Sequence, residues 1–284
     1  MKFKLFENLN IDFNFNEDIS IMTELFDLSE NELFEEVGIS SIDSKEDADK
    51  LYNFCYNNGL YLNDIKWQEY RELFNNSSKF LLCHGSRNGI KGPIRLDVSG
   101  ESNDFGNGFY IGETLKQAGM FVAEEPNSCI YLMKFDSKGL KPARFLVTTD
   151  WMLAVAYYRG LIEEYKDHPK MRKIISKIDD CDYVVAPIAD NRIFELIEAF
   201  TVGQFTDKQT LYALSATYLG MQYVLKSEKT LFNLQILDNC YLCPVEKSLY
   251  VQSSNIESIT SLNKAKLAKN RYKDDGKYIT ELFK

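Results

Sequence analysis

The sequence predicts an α+β fold for this 284-residue chain. Three observations carry the prediction. Short β-rich runs, bounded by glycine and polar turns, begin at residue 79. Helical-period segments lie between them without regular strand–helix alternation. The first 78 residues are helical in period and strongly acidic.

Residues 20–75 read as helical. In MTELFDLSENELFEEVGIS, Leu25, Leu28, Leu33, Phe34 and Val37 fall near helical spacing. Ser29 followed by Glu32 is a capping-box pattern, and Gly38 suits a C-cap. LSENELFEEVGIS resembles the first two helices of bacterial repressor-type helix-turn-helix domains. A DNA reader then needs a basic or amide-rich second helix, whereas the stretch that follows, SIDSKEDADKLYNFCY, is acidic. Residues 1–78 are therefore read as a helical accessory domain, a degenerate helix-turn-helix without the DNA-binding face.

From residue 79 the strand candidates are KFLLCHGS, GFYIG, CIYLMKF, ARFLVTT and YVVAPI. Helices are expected at 114–123, 150–166, 170–178, 192–200 and 207–219. After Gly220, MQYVLKS and LQILD read as strands again. NKAKLAKNRYKDDGKY reads as a solvated, locally basic helix. The expected division is 1–78, 79–250 and a basic helical tail, 251–284.

Charge supports the first boundary. Residues 1–78 carry 6 Lys+Arg against 17 Asp+Glu, a balance of −11; the remaining 27 and 25 give +2. An acidic segment does not hold phosphates electrostatically, which disfavours nucleic-acid binding there. The longest apolar runs fall well short of the roughly 20 residues of a membrane span, and the N-terminus lacks a signal-peptide pattern. The expectation is a cytoplasmic protein without a membrane partner. Cys55, Cys83, Cys129 and Cys181 sit in apolar surroundings and read as reduced, buried thiols. Cys240 and Cys243 form a lone CxxC without a second pair or a nearby histidine, so no metal site is expected.

The chemistry-bearing candidates begin with His84, one of only two histidines, at the end of an apolar run and directly before Gly85 and Ser86. About twenty residues later comes DFGNGFYIGETLKQAGMF, and much later YLGMQYVLKS. These pieces, in this order, resemble the ADP-ribosyltransferase superfamily, in the His-Tyr-Glu branch of diphtheria-like toxins and poly(ADP-ribose) polymerases. A closer likeness is to a bacterial ADP-ribosyltransferase-like domain family of unknown function. That family combines HGS, DFGxGFY, PIADxR and a late glutamine strand, here His84–Ser86, Asp104–Tyr110, Pro187–Arg192 and Gln222-Tyr223. The resemblance covers about 79–236.

The resemblance implies a split β-sheet core with flanking helices, and NAD as substrate. It implies that a neutral His84 imidazole hydrogen-bonds the adenosine ribose, that Gly85 and Ser86 hold the carboxamide, and that the Tyr110 ring stacks on nicotinamide, with Gly106 and Gly108 leaving room. His84, Tyr110 and Gln222 are the expected catalytic residues. His84, Gly85, Ser86, Arg87, Asp104, Phe109 and Tyr110 are the expected cofactor-binding residues. Asp104 is equally readable as a turn cap. Trp151, Tyr157 and Tyr158 read as core, Arg159 as a candidate phosphate partner, and His168 as solvated.

The third motif position, usually Glu, is Gln222. The exchange keeps a hydrogen bond and drops a negative charge, a loss of electrostatic stabilisation worth on the order of 2.7–4 kcal/mol. Asp190, Glu195 and Glu228 are the alternative carboxylates. The implied activity is transfer of a single ADP-ribose from NAD to a protein or nucleic acid. By analogy, the role is that of a bacterial toxin or anti-phage effector with an antitoxin or regulatory partner. The competing expectation is a catalytically weak or inactive NAD- or partner-binding module regulated by its N-terminal helices.

Overall fold

The computed structural model describes residues 13, 15–74, 78–97, 99–100, 102–215, 220–272 and 275–284. The elements run α1 (Phe15–Phe26), α2 (Glu30–Val37), α3 (Lys45–Asn57), α4 (Leu62–Leu73), β1 (Lys79–Ser86), β2 (Phe109–Gly112), α5 (Leu115–Val122), β3 (Cys129–Asp136), β4 (Pro142–Arg144) and α6 (Thr149–Tyr158). They continue with α7 (Pro169–Asp179), β5 (Tyr183–Pro187), α8 (Asn191–Thr201), α9 (Asp207–Ser215), β6 (Met221–Leu225), α10 (Glu228–Phe232), β7 (Leu234–Tyr241), α11 (Pro244–Arg271) and α12 (Ile279–Leu282). The mixture of helices with parallel and antiparallel strands is α+β in class.

Helix starts follow local chemistry. Capping boxes close the N-termini of α2 (Ser29 with Glu32), α3 (Ser44 with Asp47) and α5 (Thr114 with Gln117). Gly38 ends α2 at φ 74°, a left-handed backbone that glycine adopts without a Cβ penalty. ARFLVTT is a strand only at its start: Thr148 accepts the backbone N–H of Trp151, caps α6 and turns the run into a helix. The helix expected at 150–166 stops at Tyr158, and Gly160 takes φ 79° before a 3-10 turn at Glu163–Tyr165. Residues 216–219 of the helix expected at 207–219 lie outside the described residues.

The chain divides into two compact units, Met1–Ile94 with Thr114–Asp136 and Leu234–Ser253, and Arg95–Glu113 with Ser137–Asn233 and Ser254–Lys284. This division does not follow the charge step at Ser78. In the first unit α1–α4 join β1, β3 and β7. β3 pairs antiparallel with β1 and with β7. Leu81, Cys83, Ile130, Leu132 and Cys240 form a core with Leu115, Ala118 and Val122 of α5. A second buried region explains why the acidic helices do not stand apart. Lys66 of α4 is nearly inaccessible and pairs with Asp18 of α1 and Asp238 of β7, each at 2.8 Å. Two charges of one sign and one of the other, removed from water together, are tolerable only as a mutually hydrogen-bonded set. Tyr52 also donates to Asp18.

In the second unit β6 pairs antiparallel with both β2 and β5, and β4 runs parallel to β5. Trp151–Ala156 of α6 are fully buried, and the Trp151 indole N–H donates to the Pro187 carbonyl at 3.2 Å. Among the described residues no helix is long and apolar enough to cross a membrane. All six cysteines are buried and free, the CxxC pair included.

Candidate functional site

The second unit gathers three segments that are remote in sequence around one carboxylate. Asp104, in the loop before β2, is 4% exposed. Its Oδ1 accepts from Arg159 Nε at 2.9 Å and Nη2 at 2.6 Å. Its Oδ2 accepts from the backbone N–H of Ala189 at 2.9 Å and from Gln222 Nε2 at 2.7 Å. Burial raises the Asp104 carboxyl above its ordinary value, and the Arg159 charge, the Ala189 N–H and Gln222 pull against that rise. Arg159 caps the C-terminus of α6, donates also to the Ala189 carbonyl at 2.7 Å, and lies 4.4 Å from the Phe194 ring centroid.

Gln222, on β6, is 5% exposed. Its Nε2 donates to Asp104 and to the Pro187 carbonyl at 3.0 Å. It stands opposite Gly112 of β2 and Ala186 of β5. Both edges of β6 are therefore occupied, one by β2 and the other by β5. Tyr110, opposite Val224, packs against the α6 core. Its hydroxyl donates to the Gly106 carbonyl at 2.7 Å and accepts from the Phe105 N–H at 3.1 Å. Lys226 Nζ donates to the Phe105 and Asn107 carbonyls, both at 2.6 Å. Burial lowers the Lys226 ammonium.

The glycines of DFGNGFY do not leave empty room. Gly106 has φ 69°, and a Cβ there would approach the Tyr158 ring to 3.0 Å. A Cβ on Gly108 would meet the Leu225 carbonyl at 2.7 Å. Arg159 is not available as a simple phosphate partner, since Asp104, Ala189 and Phe194 share its guanidinium. Asp104 neither caps a turn nor stands open to solvent.

The His84 cluster belongs to the first unit. His84 is half-buried on β1, opposite Tyr131 of β3. By strand alternation it shares a face with Leu82 and Ser86, while Gly85 faces α5. A Cβ on Gly85 would lie 2.6 Å from the Ala118 carbonyl, a backbone atom that cannot rotate away. Glycine follows this histidine because α5 lies against the strand there. Ser86 ends β1, and the exposed Arg87 pairs with Glu125 at 3.4 Å and lies 5.6 Å from the Phe121 ring. Phe109 is buried on β2.

Of the alternative carboxylates, Asp190 accepts the Ile193 N–H as the N-cap of α8 and pairs with Arg192. Glu195 and Glu228 are exposed on α8 and α10. His168 is not merely solvated: its Nδ1 accepts the Lys170 N–H as the N-cap of α7, and its ring meets Phe283 edge-on. Sequence reasoning singled out Asp104, Tyr110, Arg159 and Gln222 one by one. It missed the parts played by Lys226 and by the Pro187 and Ala189 backbone, which no side-chain pattern marks.

The strands, the loop and the convergence of DFGNGFY, PIADNR and MQY define a folded domain built around its own motif residues. A family model described as Protein of unknown function (DUF3990) matches residues 80–236, more than half of the chain, and the chain belongs to that family. No curated protein and no solved structure matches it.

Proposed function

We propose that the chain is an ADP-ribosyltransferase-like protein that binds NAD and transfers a single ADP-ribose to a protein or nucleic acid. The observation that supports this most is the agreement between motif and element. HGS closes β1 at Ser86, GFY opens β2 at Phe109–Tyr110, a helix follows β2, and Gln222 stands on β6 in register with β2. In this reading His84 donates or accepts a hydrogen bond at a ribose hydroxyl, and the Tyr110 ring offers a face to the nicotinamide. Loss of nicotinamide leaves positive charge on the ribose carbon. Residue 222 answers it with an amide dipole in place of a full charge, so turnover is slow and chain elongation is not expected.

A second reading rests on the Gln222 geometry. Its N–H groups are spent on Asp104 and Pro187, as a residue that only supports structure would spend them. In that case the domain binds NAD or a partner without consuming it. Incubation with labelled NAD and bacterial lysate separates the two. Label on protein or nucleic acid, lost in His84→Ala, supports transfer. Saturable NAD binding without label supports the binding module. Neither binding nor label removes both.

A further inference from the structure

We propose that Asp104 is a positioning residue that fixes the Gln222 amide so that its carbonyl Oε1 is the group offered to a ligand hydroxyl, and that Asp104 thereby excludes glutamate from position 222. The inference rests on the NAD reading for the identity of the hydroxyl, a ribose of the dinucleotide. The orientation itself rests on geometry alone.

An amide can present either end. At position 222 two acceptors, Asp104 Oδ2 and the Pro187 carbonyl, lie 2.7 and 3.0 Å from Nε2. Turning the amide over would set Oε1 against both, three acceptors with no proton between them. In a nearly inaccessible site that arrangement is costly, because unpaired polar groups there lose water without replacement. Among the described residues the hydrogen bonds of the Gln222 side chain all run through Nε2. Oε1 is thus an acceptor of fixed identity, which is what a carboxylate at this position would supply toward a hydroxyl, without the charge.

The same geometry explains why the residue is not Glu. A carboxylate at 222 would point an oxygen at Asp104 Oδ2 and at a carbonyl, two buried like charges at hydrogen-bond distance. Such pairs do not both ionise. The neighbouring charged or titratable groups are Arg159, from the end of α6, and Tyr110, from β2. Arg159 already spends two donors on Asp104 Oδ1. The unit holds one negative charge here, and Asp104 carries it.

The test uses the full chain with Gln222→Glu, Asp104→Asn and the double variant, read by melting temperature, side-chain amide exchange and NAD turnover. In the wild type the Gln222 amide protons, identified by their loss in Gln222→Met, exchange slowly; in Asp104→Asn they exchange faster. Between pH 5, where the carboxyl pair takes up a proton, and pH 8, Gln222→Glu loses more melting temperature than the wild type does, and the double variant returns to the wild-type dependence. With NAD as probe, Asp104→Asn lowers turnover by about 10²-fold with little change in KM, a loss typical of a misplaced group. The double variant regains turnover with a new acid limb in its pH profile, because its acceptor now titrates. Fast amide exchange in the wild type, or a Gln222→Glu protein that loses no more stability than the wild type between pH 5 and pH 8, overturns the proposal. If no form consumes or binds NAD while exchange and melting behave as stated, the NAD reading fails and the positioning of Gln222 by Asp104 stands.

Discussion

Asp104 Oδ2 accepts the side-chain amide of Gln222 at 2.7 Å, joining residues 118 positions apart in the chain. The bond ties the loop before β2 to the start of β6. With Arg159 and Ala189 it makes one carboxylate the meeting point of three motifs.

Removing that carboxylate is expected to be severe. Asp104→Ala leaves the Arg159 guanidinium largely buried beside an empty acceptor site, and breaking such a pair costs about 3–5 kcal/mol. Arg159→Met removes the charge and keeps much of the stem over Phe194, and it frees Asp104 to take up a proton. It should cost less. Denaturant melts of both variants check the order.

Tyr110→Phe separates ring from hydroxyl. The hydroxyl bridges the Gly106 carbonyl and the Phe105 N–H, so its loss should lower stability by about 1–3 kcal/mol, since a buried backbone partner is left unmet. The ring remains, and under the NAD reading nicotinamide affinity should stay near wild type, whereas Tyr110→Ala weakens it. Calorimetric titration beside thermal melts reads both.

Gly85→Ala is expected to destabilise by about 1–3 kcal/mol through overpacking against the Ala118 carbonyl. A fully stable Gly85→Ala protein would remove the packing explanation for the glycine after His84.

Glu246 gives the pH dependence a sign. It is buried, accepts from Tyr250 OH at 3.1 Å and from Asn63 Nδ2 at 2.8 Å, and burial pushes its carboxyl up to about 7. Its folded-state value lies above the unfolded one, so the folded chain binds the extra proton between them. The stability it contributes is present below about pH 4.5 and is lost as pH rises through about 7, by about 3 kcal/mol. Glu246→Gln should flatten that slope; an unchanged slope contradicts the assignment.

Most elements could be read from local pattern because local chemistry decides them. The Ser29–Glu32 capping box and Gly38 are formed as their spacing suggests, and the β-rich runs at 79–86 and 129–135 fall in β1 and β3. What local pattern missed depends on distant partners. ARFLVTT has β propensity throughout, yet Thr148 claims its end for α6. α11 begins at Pro244, directly after the CxxC, where proline at a helix start was the overlooked signal. Asp104 looked like a turn cap or ligand contact because its acceptors' partners, Arg159, Ala189 and Gln222, lie 55 to 118 residues away. Acidity suggested a separate N-terminal body, since a charge count does not reveal that Lys66 is buried between Asp18 and Asp238.

The six buried thiols have a practical corollary. Burial pushes Cys55 and Cys129 up to about 12 and Cys181 and Cys243 up to about 11, with Cys83 and Cys240 also raised. The thiolate is the nucleophile that attacks a thiol reagent, so at neutral pH these groups react only when the chain around them opens. Cys181 alone lies in the second compact unit, and the other five lie in the first. The protein therefore carries its own mass-resolved clock. A species gaining one adduct marks opening around Cys181, one gaining five marks opening of the first unit, and a direct step to six marks a molecule that unfolds as a whole.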